Sequence, residues 1–171
     1  MARARGEVDR QVVYDPAYVR LSFRAGADTG HVVYPGGDLD ASRGVCTDVV
    51  VRALRAVGVD LQERVHADIV AHPAAYPRVT APDTNIDHRR VGPLLGYLRR
   101  HAVAPAPTDW QPGDIVVYAF NPCPRCTPDH VGIVSDRRGP RGKLLVIHNM
   151  GPRPSEDDVI DEWTQLGHFR L

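Results

Sequence analysis

A chain of 171 residues is long enough for one domain with a real core, and its 21 basic and 21 acidic residues cancel to a net charge of zero. That balance removes any general electrostatic reason to bind nucleic acid or anionic lipid, and no apolar run reaches the roughly 20 residues a membrane helix needs, so neither nucleic acid nor membrane insertion is expected. The N-terminal Met1-Ala2-Arg3-Ala4-Arg5-Gly6-Glu7 is charged but lacks the apolar stretch of a secretory signal, which leaves two locations open: cytoplasmic, or periplasmic or secreted behind a removed leader.

Residues 1–11 read as a disordered lead-in to a single domain. From Val12 to Tyr34 the chain is strand-poor and rich in turn residues, punctuated by Asp15-Pro16 and Tyr34-Pro35-Gly36-Gly37. Ser42 or a neighbour then caps a helix carrying Cys46, Val49, Val50, Ala53, Leu54 and Val57 at helical spacing, with Gly58 as its stop. A second helix is predicted from Leu61 to Ala71, ended by Pro73. Loop follows to Arg90, then a third helix from Val91 to about His101 and a connector at Pro105 to Pro107. Beyond it the pattern turns to β: Asp114 to Phe120, His130 to Ser135 and Lys143 to His148, with a short edge strand at His168 to Leu171. Pro154-Ser155-Glu156-Asp157-Asp158 has the composition of a helix N-terminus. Helices first and strands second predict an α+β domain over residues 1–171, helices packed on an antiparallel sheet.

Three cysteines are present, and Cys123 and Cys126 form a C-x-x-C pair that leaves Cys46 alone. At a helix start, Cys46 meets unpaired backbone N–H groups and the positive end of the helix dipole, which favour the thiolate and can hold an oxyanion. The bland alternative is a small buried apolar residue. His130 opens a β-run, where a strand can hold an imidazole as a general base. His148, at the end of the next run, is placed to fix its tautomer, with Asn149 in reserve for that role.

Trp110-Gln111-Pro112-Gly113-Asp114-Ile115-Val116 followed by His130-Val131-Gly132-Ile133-Val134 resembles the NlpC-type papain-like cysteine peptidase superfamily, and Tyr34-Pro35-Gly36-Gly37 is similar to that superfamily's approach to its cysteine. More closely, the chain resembles the YijF-like bacterial proteins, a family of unknown function. The blocks Tyr14-Asp15-Pro16-Ala17-Tyr18, Gly44-Val45-Cys46-Thr47-Asp48-Val49-Val50, Pro82-Asp83-Thr84-Asn85-Ile86-Asp87-His88-Arg89-Arg90-Val91 and Val146-Ile147-His148-Asn149 carry that likeness over nearly the whole chain. The resemblance implies a papain-like fold with Cys46 as nucleophile, His130 as base and His148 as orienting residue. Tyr34, Asp48, Asn149 and Arg89 form the substrate-side set, and no cofactor or metal is implied. The substrate class it implies is the peptide stem of bacterial cell walls, or another peptide or amide. Val45 stands where such peptidases carry an acid before the cysteine, so the thiol chemistry is better supported than the substrate.

Two other readings remain at this stage. One is an inactive cell-wall or peptide-binding module with the same fold. The other is a zinc protein, since Cys123, Cys126 and His130 have ligand-like spacing. In the Asn85-to-Arg90 block, Arg89 or Arg90 is suited to clamp a carboxylate, against a structural reading in which Asp87 caps the third helix and the arginines pair at the surface. His66, His72, His88, His101 and His168 show no partner in the sequence, and Trp110 and Trp163 read as core anchors.

Overall fold

The computed structural model describes residues 1–21 and 34–171, so most of the turn-rich stretch between Val12 and Tyr34 lies outside the described residues. Among them, four α-helices (α1 Ala2–Asp9, α2 Cys46–Arg55, α3 Leu61–Ala71, α4 Val91–His101) pack on one face of an antiparallel sheet in an α+β arrangement. The sheet strands are β3 Ile115–Ala119, β4 His130–Arg138, β5 Leu144–Asn149, β6 Pro154–Asp157 and β7 Thr164–Phe169, in the order β6-β5-β4-β3-β7. A separate parallel pair joins β1 Val13–Tyr14 to β2 Arg43–Gly44. No helix among the described residues is long and apolar enough to cross a membrane.

The three expected helices form because their apolar residues recur at helical spacing and their ends carry stop signals. Asp60 caps α3 by accepting from Gln62 N at 3.0 Å, and the stripe Leu61, Val65, Ile69 is fully buried. Burying each such side chain stabilises the fold by about 1.5–3 kcal/mol. Gly58, at φ +87°, takes the left-handed conformation that ends the α2 region. The N-cap of α2 is Val45 rather than Ser42 or a polar neighbour. A valine side chain cannot cap, so half of a capping box does it: Asp48 Oδ2 accepts from Val45 N at 2.7 Å.

Three segments depart from expectation. Residues 1–11 are not a disordered lead-in. They include α1, which docks through Ala4 and a fully buried Glu7 whose carboxylate meets Arg52 of α2 at 2.8 Å. The acidic run after Pro154 is not a helix start but β6, paired in register with β5 from Val146↔Asp157 to Asn149↔Pro154. Glu156 there accepts from Arg5 and Ser135, so tertiary partners absorb the charge that suggested a helix cap. The last strand begins earlier than His168 and forms the sheet edge beside β3.

Strand alternation divides the sheet into two sides. Ile115, Val117, Val131, Ile133, Ile147 and Phe169 face the helices and share their core with Cys46 and Val50. Val116, Tyr118, Val134 and Val146 face the other way, under Trp110, Val159, Ile160 and Trp163. The β4–β5 register is regular at Ile133↔Ile147 and Val134↔Val146, and its irregularity falls between Val134 and Arg138.

Candidate functional site

Cys46, the first residue of α2, belongs to the helix-side core and is only 6% exposed as a residue. The backbone N–H groups of Val131, Thr47 and Cys46 itself face the sulfur, so β4 comes to the thiol one peptide beyond His130. Burial pushes the Cys46 thiol up to about 11, with the Asp48 carboxylate adding to the rise and the three amides opposing it. The expected thiolate at the helix start is therefore not the resting form. Desolvation outweighs the helix terminus because water is excluded from the sulfur.

His130 begins β4 with its ring on the opposite side of the strand from Val131. It sits among Tyr118, Phe120 and Trp163, at centroid distances of 6.3, 5.7 and 5.7 Å. Its Nε2 lies 2.9 Å from His148 Nδ1 on β5. Burial, then the neighbouring His148, lowers His130 to about 3, and burial also lowers His148. Thiol and imidazole are thus both neutral at pH 7. No hydrogen bond joins Cys46 to His130 in this state. Because Nε2 of His130 is engaged by His148, Nδ1 is the ring nitrogen left for a thiol.

The histidine pair has a third member that the sequence reading did not find. Asp157 of β6 places Oδ2 3.3 Å from His148 Nε2, close enough for ion pairing though without hydrogen-bond alignment. A carboxylate accepts only, so it favours the proton on His148 Nε2. His148 Nδ1 then accepts from His130 Nε2–H, and His130 Nδ1 keeps its lone pair. Asp157→Ala is expected to mix the His148 tautomers, seen as a shift of its ring 15N resonances, while Asp157→Asn keeps them. The associated loss of any His130-dependent activity is expected to stay below about tenfold, because the Asp157 side chain is half exposed and its pull is screened. Unchanged resonances in Asp157→Ala would remove Asp157 from the site.

Gly132 makes the close approach of β4 and β5 possible. A Cβ there would overlap Val146 Cγ1 and stand 3.2 Å from His148 Cβ and 3.1 Å from Ile147 O. Gly132→Ala is expected to cost about 1–3 kcal/mol in urea unfolding and to displace His148.

Other predicted residues are placed elsewhere. Tyr34 donates to Glu63 O at 3.1 Å and meets the His66 ring edge-on at 5.4 Å, on α3. Asp48 is fully buried, and burial lifts its carboxyl against the pull of Arg89 and Arg52. Arg89 is buried too, its Nε 3.3 Å from both Asp48 oxygens and its other nitrogens donating to Ala17 O and Asp15 O. Both charges are committed to each other and to backbone, so neither is open to a substrate. Asp87 does not cap α4, whose N-cap is Arg90; it accepts from Asp83 N and meets His66 Nδ1 at 2.8 Å. Asn149 faces the helix side, donates to Gly44 O at 3.2 Å and accepts from Gly151 N, which removes it from the His148 role.

Of the histidines without a sequence partner, His66, His101 and His168 pair with Asp87, Asp68 and Asp114. Trp110 stacks on His168 as an anchor, whereas Trp163 stands nearly perpendicular to both site imidazoles. Tyr14 was part of a motif block without a role. It pairs with Gly44, packs against Gly151, and its hydroxyl feels Cys46 after the larger effect of burial.

Cys123 and Cys126, two of the residues with zinc-ligand spacing, are bonded to each other, so neither is a thiolate, and no group of three metal-binding side chains forms among the described residues. Cys46 is the free cysteine.

Helices on one face of an antiparallel sheet define an α+β domain, and its candidate site consists of a buried helix-start thiol and a strand-borne histidine pair. The family model "Domain of unknown function (DUF1287)" matches residues 1–171, and the chain belongs to that family. It is 42% identical over 174 residues to the Uncharacterized protein YijF of Escherichia coli (strain K12), covering 98% of this chain and 78% of that protein. No solved structure matches.

Proposed function

We propose that the protein is a cysteine-nucleophile amide hydrolase of the NlpC-type papain-like kind, acting on bacterial cell-wall peptide. The observation that carries this reading is the buried His130 Nε2–His148 Nδ1 contact of 2.9 Å at the strand that delivers the Val131 amide to Cys46 Sγ. That order matches a nucleophile, base and orienting residue.

From the neutral resting pair, the Cys46 sulfur attacks the amide carbonyl as its proton passes to His130 Nδ1. The tetrahedral oxyanion is received by N–H groups at the α2 terminus. His130 then protonates the departing amine, leaving an acyl-thioester on Cys46. Water, deprotonated by His130, releases the acid and restores the thiol. The thiol lies on the helix side of β4 and the His130 ring turns to the other side, so the first step requires a movement that brings Nδ1 to the sulfur, more than the tightening of a hydrogen bond already formed. The same acyl-enzyme can pass to an acceptor other than water, which makes acyl transfer the companion outcome.

The Cys123–Cys126 bond, with Cys46 left free, suits an oxidising compartment and supports a periplasmic or secreted place of action. Mass spectrometry of purified cell-wall fragments after incubation with wild type and Cys46→Ala tests the proposal. New peptide ends in the wild-type sample alone are expected, and identical samples would reject it in favour of a binding module.

A further inference from the structure

A cleft of about 780 Å³ runs between the start of α4, the segment around Tyr76 to Val79 and the loop that follows Cys126. Three arginines, Arg78, Arg90 and Arg99, line it, and no carboxylate does. The side chains of Arg78 and Arg90 make no hydrogen bond or ion pair among the described residues, and Arg99 donates to Leu166 O at 3.2 Å. The nearest acids are held elsewhere: Asp83, which feels Arg90, is bonded by Tyr18 and Asn85, and Asp129 by Thr127 and Phe120. An acid-free wall with uncommitted guanidiniums attracts carboxylates, which arginine binds through paired N–H groups.

Two connections set this cleft beside the thiol–imidazole site. Arg90 directly follows Arg89, whose carbonyl accepts the Thr47 hydroxyl at 3.1 Å, and Thr47 is the neighbour of Cys46. Pro128, on the opposite wall, is two residues before His130 and packs near Gly92 of α4. One wall therefore leads to the nucleophile and the other to the base. The apolar lining from Val79, Val91 and Leu95 gives a surface along which a peptide chain can lie.

We propose that this cleft is the substrate channel and that Arg78 and Arg90 bind the free carboxylates of an acidic peptide. The carboxylate clamp of the Arg89-Arg90 pair thus belongs to Arg90, while Arg89 serves the fold. The proposal rests on the thiol-hydrolase reading for what happens to the bound peptide, but its binding arm is independent of catalysis.

The test is fluorescence anisotropy with full-length Cys46→Ala protein and two probes, dansyl-Ala-Glu-Ala-Glu with free carboxylates and the same peptide with every carboxyl amidated. The acidic probe is expected to bind at least about tenfold tighter at low salt, with the gap shrinking as salt rises. In the Arg78→Gln/Arg90→Gln protein the gap should close, with unfolding midpoint unchanged because both side chains are exposed. Equal affinities, no measurable binding of either probe, or a gap that survives the double substitution overturns the cleft proposal. Cell-wall hydrolysis by wild type separates the two readings. Hydrolysis without a probe gap keeps the thiol mechanism and discards the cleft; an arginine-dependent gap with no hydrolysis does the reverse.

Discussion

If the protein is the proposed cell-wall amide hydrolase, Cys46→Ala is expected to bring peptide release down to the uncatalysed background, and His130→Ala to lower it by about 10²–10⁴-fold, the usual weight of a positioned base. The double variant should be no worse than Cys46→Ala alone, because the two groups act in one step. The pH dependence follows from the resting charges. With the thiol raised to about 11 and His130 lowered to about 3, both groups are neutral between those values. The thiolate fraction then grows about tenfold for each pH unit below 11, so iodoacetamide labelling of the free protein should be slow at pH 7 and climb steadily to pH 10. A labelling rate already on its plateau at pH 7 would show a thiolate–imidazolium pair at rest and sink the neutral-pair mechanism. Full hydrolysis by Cys46→Ala would sink the nucleophile.

The largest effect on stability is expected at Arg52. Its guanidinium, 2% exposed at the side chain, donates to Glu7 Oε2 at 2.8 Å, to both Asp38 oxygens at 2.8 and 2.9 Å, and to Arg43 O at 2.9 Å. It thereby holds α1, the approach to Cys46 and α2 in one network. Removing a single partner strands the buried Glu7 charge, whose carboxyl burial already raises against the pull of Arg52 and Arg3. Arg52→Ala should cost about 3–5 kcal/mol in urea unfolding. Arg52→Met with Glu7→Gln should recover part of that loss, since the uncompensated charge goes with it. A cost under about 1 kcal/mol for Arg52→Ala would mean that Arg3 and Arg10 hold Glu7 unaided.

That network also marks what local sequence could not reveal. α2, α3, α4 and the central strands were legible because apolar spacing and Gly or Pro stops act within a few residues. α1 was hidden because its buried face consists of Ala4 and Glu7, and an acid reads as buried only when its distant arginine is known. β6 was hidden because an acidic run after proline suits a helix start as well as an edge strand with Arg5 beside it. In the site, Cys46, His130 and His148 stood out by their order along the chain. The face on which α2 docks, the burial that lifts the thiol, and Asp157 opposite His148 all depend on tertiary placement. Arg89 was misread for the same reason: its partner Asp48 lies 41 residues away.

The register irregularity of β4 has a practical bearing on protein engineering. The pairing that aligns His130 with Tyr118 is uninterrupted, whereas the irregular stretch lies beyond Val134, toward the exposed turn at 139–143. A slip of one residue at the head of the strand would exchange the imidazole for a valine, but a change of length at the far end can be taken up before it reaches the site. That distal hairpin is consequently the position of choice for grafting an epitope or fluorophore, leaving the thiol–imidazole geometry undisturbed.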